Sequence, residues 1–143
     1  METTLTEVVN QALPTLRAIS DGEASAKPAP GKWSKKEILG HLIDSAANNH
    51  QRFIRLQLAP EVTLPGYDQD AWVQANGYQQ AKWEEVITLW ASYNLHLAAV
   101  IKNIHPACAE HVWHHPKGDY KLGYVVDDYV VHLRHHLAQI GVA

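Results

Sequence analysis

The sequence predicts an all-α four-helix bundle, and three observations carry that expectation. Four segments repeat apolar residues at helical spacing, strand alternation is almost absent, and 143 residues suit one domain with a core of its own. Residues 1–143 are therefore read as a single bundle domain.

The first segment, residues 4–20, places Leu5, Val8, Val9, Ala12, Leu13, Leu16 and Ile19 at helical intervals. Pro14 falls inside that pattern, which predicts a kink, a break or a late start, because proline lacks an N–H and its ring crowds the preceding turn. Ser20-Asp21-Gly22 reads as a stop, and the two prolines and glycine of residues 26–31 as a loop.

The second helix has a marked start. Ser34 with Glu37 three residues later is a capping-box pattern, and Trp33 stands just before the cap. Ile38, Leu42, Ser45, Asn49, Phe53 and Leu56 then trace one stripe, widened by Leu39, Ile43, Ala46 and Ile54. His41 borders that stripe, in a row with Ser45, Asn48 and Arg52. Pro60 and the Pro65-Gly66 pair end the element.

Residues 61–80 form a long connection with a turn of helix near residues 70–75. Its Tyr67, Trp72 and Tyr78 predict packing over one end of the domain. A third helix follows over residues 81–104, with Trp83, Val86, Ile87, Trp90, Tyr93, Leu97, Val100, Ile101 and Ile104 facing inward. His105-Pro106 stops it, and residues 111–118 read as a second irregular stretch. The fourth helix covers residues 122–141, with Leu122, Val126, Val130, Leu133, Leu137 and Ile140 as its apolar face.

Composition narrows the chemistry. Net charge is −3, and no basic stripe interleaved with aromatics gives nucleic acid a footprint. The apolar runs are short and interrupted by charge, so no membrane span is expected, and the N-terminus lacks an apolar signal core. One cysteine, Cys108, excludes an internal disulfide and a thiolate-rich metal site. These features predict a cytoplasmic protein. The unusual number is ten histidines.

At about 100° per residue, the fourth helix aligns Val125, Tyr129, His132 and His136 beside its apolar face, while His135 points away. His132 and His136 stand one turn apart, with Cβ atoms roughly 5–6 Å from each other, close enough for both imidazoles to reach one ion. The same spacing also fits a histidine-rich surface. His41 shifts the balance toward metal, because bundles build metal sites from side chains on facing helices. Three imidazoles with open positions would suit zinc, with nickel, cobalt or iron as alternatives. His114 and His115 compete as ligands, but they are adjacent in sequence, and His115-Pro116 reads as a rigid turn. Cys108 reads as an inert thiol, with a nucleophile as the alternative.

The run Gly31-Lys32-Trp33-Ser34 through His41-Leu42-Ile43-Asp44-Ser45, with Asn48, Arg52 and Phe53 after it, resembles the second-helix signature of the DinB/YfiT-like superfamily. Trp113, His115-Pro116, Gly118 and Leu122, then His132, His135-His136 and Gln139-Ile140, resemble its C-terminal half. The resemblance covers about residues 31–140. It implies an up-down-down-up four-helix bundle, often a homodimer, holding nickel or zinc through His41, His132 and His136, with His135 outside the ligand set. It also implies a small-molecule substrate and a low-molecular-weight thiol cosubstrate, hence thiol S-transferase-like activity. The alternatives are a hydrolase using metal-bound hydroxide and a non-catalytic metal-binding or interaction domain. Asp44, Asn48 and Arg52 lie near the His41 row and would orient ligands or bind a carboxylate, with solvated surface as the competing reading of Asp44. Tyr129, one turn before His132, would donate a proton or simply pack.

Overall fold

Helices form where the apolar stripes lie. In the computed structural model, which describes residues 2–142, they are α1 (Glu2–Ala18), α2 (Asp21–Ser25), α3 (Lys35–Leu58), α4 (Gln69–Asn76), α5 (Trp83–Lys102) and α6 (Leu122–Ile140). Ser34 caps α3: its Oγ accepts the Glu37 N–H at 3.2 Å, and the Glu37 carboxylate accepts the Ser34 N–H at 3.1 Å. That reciprocal cap fixes where α3 starts, and so the angle at which His41 leaves the helix two turns later. Gly77, in the left-handed conformation with φ 67°, ends α4 and lets the chain turn sharply into α5.

The long helices α1, α3, α5 and α6 make the bundle. Contacts run from α1 to α5, α5 to α3, α3 to α6 and more lightly back to α1, so α1 and α3 occupy opposite corners. Three contacts set the helix directions. The Trp83 indole N–H, at the start of α5, donates to the Leu16 carbonyl near the end of α1, so these two run antiparallel. Gln79, just before α5, bonds Ser34 at the start of α3, so α3 and α5 run side by side in one direction. His41, early in α3, meets His132 and His136, late in α6, so this pair is antiparallel. The order is up, down, down, up. Trp90, Phe53, Leu39, Leu42, Leu97, Leu133 and Ile140 fill the centre.

The structure corrects several expectations. Pro14 neither breaks nor delays α1; it lies on the exposed face, while Leu5, Val9, Ala12 and Leu16 hold the inner face. Ser20 ends one helix and at once caps α2, through a second capping box with Glu23. The irregular stretches contain strands: β1 (Glu61–Thr63), β2 (Val112–His115) and β3 (Gly118–Lys121) form a sheet in the order β1-β2-β3. β1 pairs parallel to β2, with Val62 opposite Trp113, and β2 pairs antiparallel to β3, with Trp113 opposite Tyr120. His114 and His115 are thus strand residues, and the turn falls at Pro116-Lys117. His114 is clamped by Asp119 at 2.7 Å and Glu61 at 2.9 Å, which ties the three strands together and raises its pKa.

α4 and the turn after it are pinned to α3 at one close approach. Tyr78 lies flat against Gly40, where an added Cβ would stand 2.1 Å from the ring carbon Cδ2. Only a residue without a side chain fits there.

Candidate metal centre and adjoining cavity

His41, His132 and His136 converge. Their ligand atoms lie within 4.8 Å of one another, with the His132 Nε2 3.4 Å from that of His41 and 3.1 Å from that of His136. Two zinc–nitrogen bonds of about 2.0–2.1 Å at a tetrahedral angle separate their nitrogens by roughly 3.3–3.4 Å, so these spacings match a shared ion. His41 is completely buried, not merely at the border of its stripe, and His132 and His136 are half-buried. Their neighbours fix them. Trp33 packs on the His41 ring at 5.0 Å between centroids. The His136 Nδ1–H donates to Gln139 Oε1 at 2.9 Å, which leaves its Nε2 lone pair pointing at the cluster. The His41 Nδ1 has no hydrogen-bond partner among the described residues.

Burial, then the neighbouring rings of His136 and His132, pushes the His41 pKa down to about 3. Burial, then His136, brings His132 down to about 4, against a small opposing pull from Asp128. These two imidazoles are therefore neutral at physiological pH, the form that donates a lone pair to a metal. The donor set fits a divalent ion, with solvent-side positions left open to a further ligand. His135, adjacent in sequence, is exposed and stands outside the cluster, with the Gln139 amide as its partner.

A cavity of about 280 Å³ opens beside His132. α3 contributes Ser45, Asn49 and Arg52; the sheet contributes Trp113, His115 and Tyr120. Tyr124, Asp128 and Tyr129 close it from α6, and Tyr67 from the connection before α4. The Arg52 guanidinium lies over the Trp113 ring at 3.9 Å and donates to Asn49 Oδ1 at 3.2 Å. Gly66 comes so close to His115 that an added Cβ would stand 2.8 Å from its Nε2.

The remaining site candidates are distributed differently. Asn48 is half-buried and turns its amide back onto the Asp44 carbonyl at 2.9 Å, within α3. Tyr129 lines the cavity with its ring, but its hydroxyl donates to Asn94 on α5 and is committed to the core. Asp44 is buried, not solvated: its Oδ1 accepts from the Tyr78 hydroxyl at 2.7 Å and from the Asn76 amide at 2.8 Å. Sequence reasoning passed over Asn49, Tyr67, Tyr120, Tyr124, Asp128 and Gln139. The helical interval from His136 to Gln139 was a usable signal; the sheet residues offered none.

Burial pushes the Asp44 pKa up to about 6, partly offset by the Tyr78 hydroxyl. A folded-state pKa above the ordinary value of 3.8 means that the charged carboxylate opposes folding above about pH 6, and that this penalty vanishes below the unfolded value. Asp44→Asn should therefore stabilise the fold at pH 8 by about 1–3 kcal/mol, with the gain fading toward pH 4. Urea denaturation at pH 4, 6 and 8 measures it, and a gain independent of pH would refute the buried charge.

The comparisons agree with this architecture. The model of the DinB superfamily matches residues 4–140. A protein of Bacillus mycoides is 28% identical over 130 residues, covering 87% of this chain and 73% of its own length. YfiT of Bacillus subtilis is 24% identical over 139 residues, covering 95% of this chain and 78% of its own. Each bears the name of a metal-dependent hydrolase whose activity is unproven. The solved structure of YfiT, a four-helix bundle of unusual topology, superposes with a TM-score of 0.81 at 22% identity, covering 98% of this chain and 81% of that one. No helix among the described residues is long and apolar enough to cross a membrane. With the family match spanning nearly its whole length, the chain belongs to the DinB superfamily.

Proposed function

We propose that this chain is a divalent-metal-dependent enzyme acting on a small molecule seated in the cavity beside His132. The observation that carries the reading is the convergence of three Nε2 atoms from two helices at metal-ligand spacing. His41, His132 and His136 would hold the ion, nickel or zinc by the donor chemistry. A divalent ion held by neutral ligands keeps its full charge and lowers the pKa of a thiol or water that coordinates it.

Thiol S-transfer is the first reading. A thiol, with an ordinary pKa near 8.5, needs only a modest shift to ionise at neutral pH. The balanced reaction joins RSH and R′X to give RSR′ and HX, with the thiol proton leaving on the displaced group. Arg52 and Asn49 offer the donors that would orient the acceptor, and the aromatic walls exclude water from it. Hydrolysis is the second reading, favoured by the names of the relatives, with Asp128 at the cavity edge as the proton acceptor.

Elemental analysis of untagged protein, followed by parallel assays, tests the proposal. About one equivalent of nickel or zinc per chain is expected, with thiol consumption in the presence of an electrophile exceeding ester or amide hydrolysis. Metal below about a tenth of an equivalent, with no uptake on titration, would remove the metal-enzyme reading. Hydrolysis without thiol dependence would replace the first reading with the second.

A further inference from the structure

We propose that the cavity selects a small monocarboxylate, binding its carboxylate on Arg52 and directing its other end toward His132. The inference deepens the functional reading above and rests on it for the placement of the reacting end.

Arg52 carries the argument. Its guanidinium is held over the Trp113 ring at 3.9 Å, and Asn49 takes one of its five N–H donors at 3.2 Å. Among the described residues, no aspartate or glutamate oxygen lies within 4 Å of it, and the salt bridges are all made by lysines and His114. A guanidinium stays protonated even where burial lowers its pKa, as it does here, so the cavity wall keeps a positive charge without a counter-ion. Partly buried, unpaired charge is costly, and a planar fork of free N–H groups is shaped for two carboxylate oxygens.

The rest of the cavity limits what else the ligand carries. Asp128, one turn before His132 on α6, lines the same space and repels a second negative charge at the His132 end. Trp113, Tyr67, Tyr120 and Tyr124 present rings to the middle, which suits a flat or apolar body. A phosphate monoester shares the affinity of a carboxylate for Arg52 but brings a second charge near neutral pH, and no second lysine or arginine lines the cavity to balance it. The structure therefore favours the carboxylate.

Isothermal titration of the full chain with benzoate, benzamide and phenyl phosphate tests this, using metal-loaded and chelator-treated protein, each as wild type, Arg52→Gln and Arg52→Lys. Benzoate should bind the wild type in both metal states and weaken about 10–100-fold in Arg52→Gln. Arg52→Lys, which keeps the charge and loses the fork, should fall between them. Benzamide should bind weakly and ignore the substitution, and phenyl phosphate should bind less tightly than benzoate. Metal content should be unchanged by Arg52→Gln, since Arg52 is not among the clustered histidines. The proposal is overturned by undetectable benzoate binding to the wild type, by equal binding to Arg52→Gln, by benzamide matching benzoate, or by phenyl phosphate binding more tightly. Benzoate binding that requires metal and ignores Arg52 overturns it too, by placing the carboxylate on the ion. A wild type that takes up no metal, yet binds benzoate through Arg52, would defeat the enzyme reading and leave the carboxylate site standing.

Discussion

Replacing His132 by alanine should drop bound divalent metal from about one equivalent per chain to less than about a tenth, while the helical signal in circular dichroism stays. His132 is the middle member of the cluster, since its Nε2 is 3.4 Å from that of His41 and 3.1 Å from that of His136. Its removal leaves His41 and His136 as two ligands from two helices. The fold should survive, because Leu133, Leu137 and Ile140 still hold α6 in the core. Stability gives an independent readout. An ion at a hundredfold excess over its Kd stabilises the folded state by about 2.7 kcal/mol, or roughly 5–10 °C in Tm for a chain of this size. A chelator should therefore lower the Tm of the wild type by that order and leave His132→Ala unmoved. An equal chelator effect on both proteins would mean that the metal sits elsewhere. His135→Ala is the matched control, because its ring faces solvent, and it should retain the metal.

Gly40→Ala should be the most damaging change of its size in the chain, at about 3 kcal/mol. Elsewhere in a helix this substitution gains about 1 kcal/mol of propensity. At Gly40 the new methyl would stand 2.1 Å from the Tyr78 ring, which cannot retreat while its hydroxyl bonds buried Asp44 at 2.7 Å. α3 must bend or the turn at residues 78–80 must lift away. Since Gly40 immediately precedes His41, either movement also reaches the histidine cluster. The double mutant decides the cause. In a Tyr78→Ala background the clash is gone, so Gly40→Ala should become neutral or stabilising. A penalty that persists there would assign the damage to something other than Tyr78.

The bundle was legible in the sequence because its helices are amphipathic and marked at their ends: Ser34 and Glu37 start α3, and the stripes from Leu5 to Leu16 and from Leu122 to Ile140 have an unambiguous period. His132 and His136 could be paired from one helix, because four residues along a helix is a distance in space. The strands were not legible. β1 has three residues and β2 and β3 four each, too short for alternation to show, and β1 is defined by a partner some fifty residues away in sequence, as Val62 is from Trp113. The same limit hid the Arg52–Trp113 stack and the burial of Asp44, whose partners Tyr78 and Asn76 come from outside α3. Contacts within a helix can be read from spacing; contacts between loops exist only once the chain has closed.

The small sheet divides labour in this molecule. The cluster of histidines stands entirely on α3 and α6, whereas Trp113, His115 and Tyr120 of the cavity wall stand on strands that join two separate connections. Substitutions in the strands can therefore reshape what the cavity admits without displacing a nitrogen of the histidine cluster. The parallel pairing of β1 with β2 couples the two connections, so an insertion in one must be accommodated by the other. Length changes in residues 59–68 would accordingly call for matching changes in residues 111–121, over a helical frame that keeps Arg52 and Asn49 of the cavity wall in place.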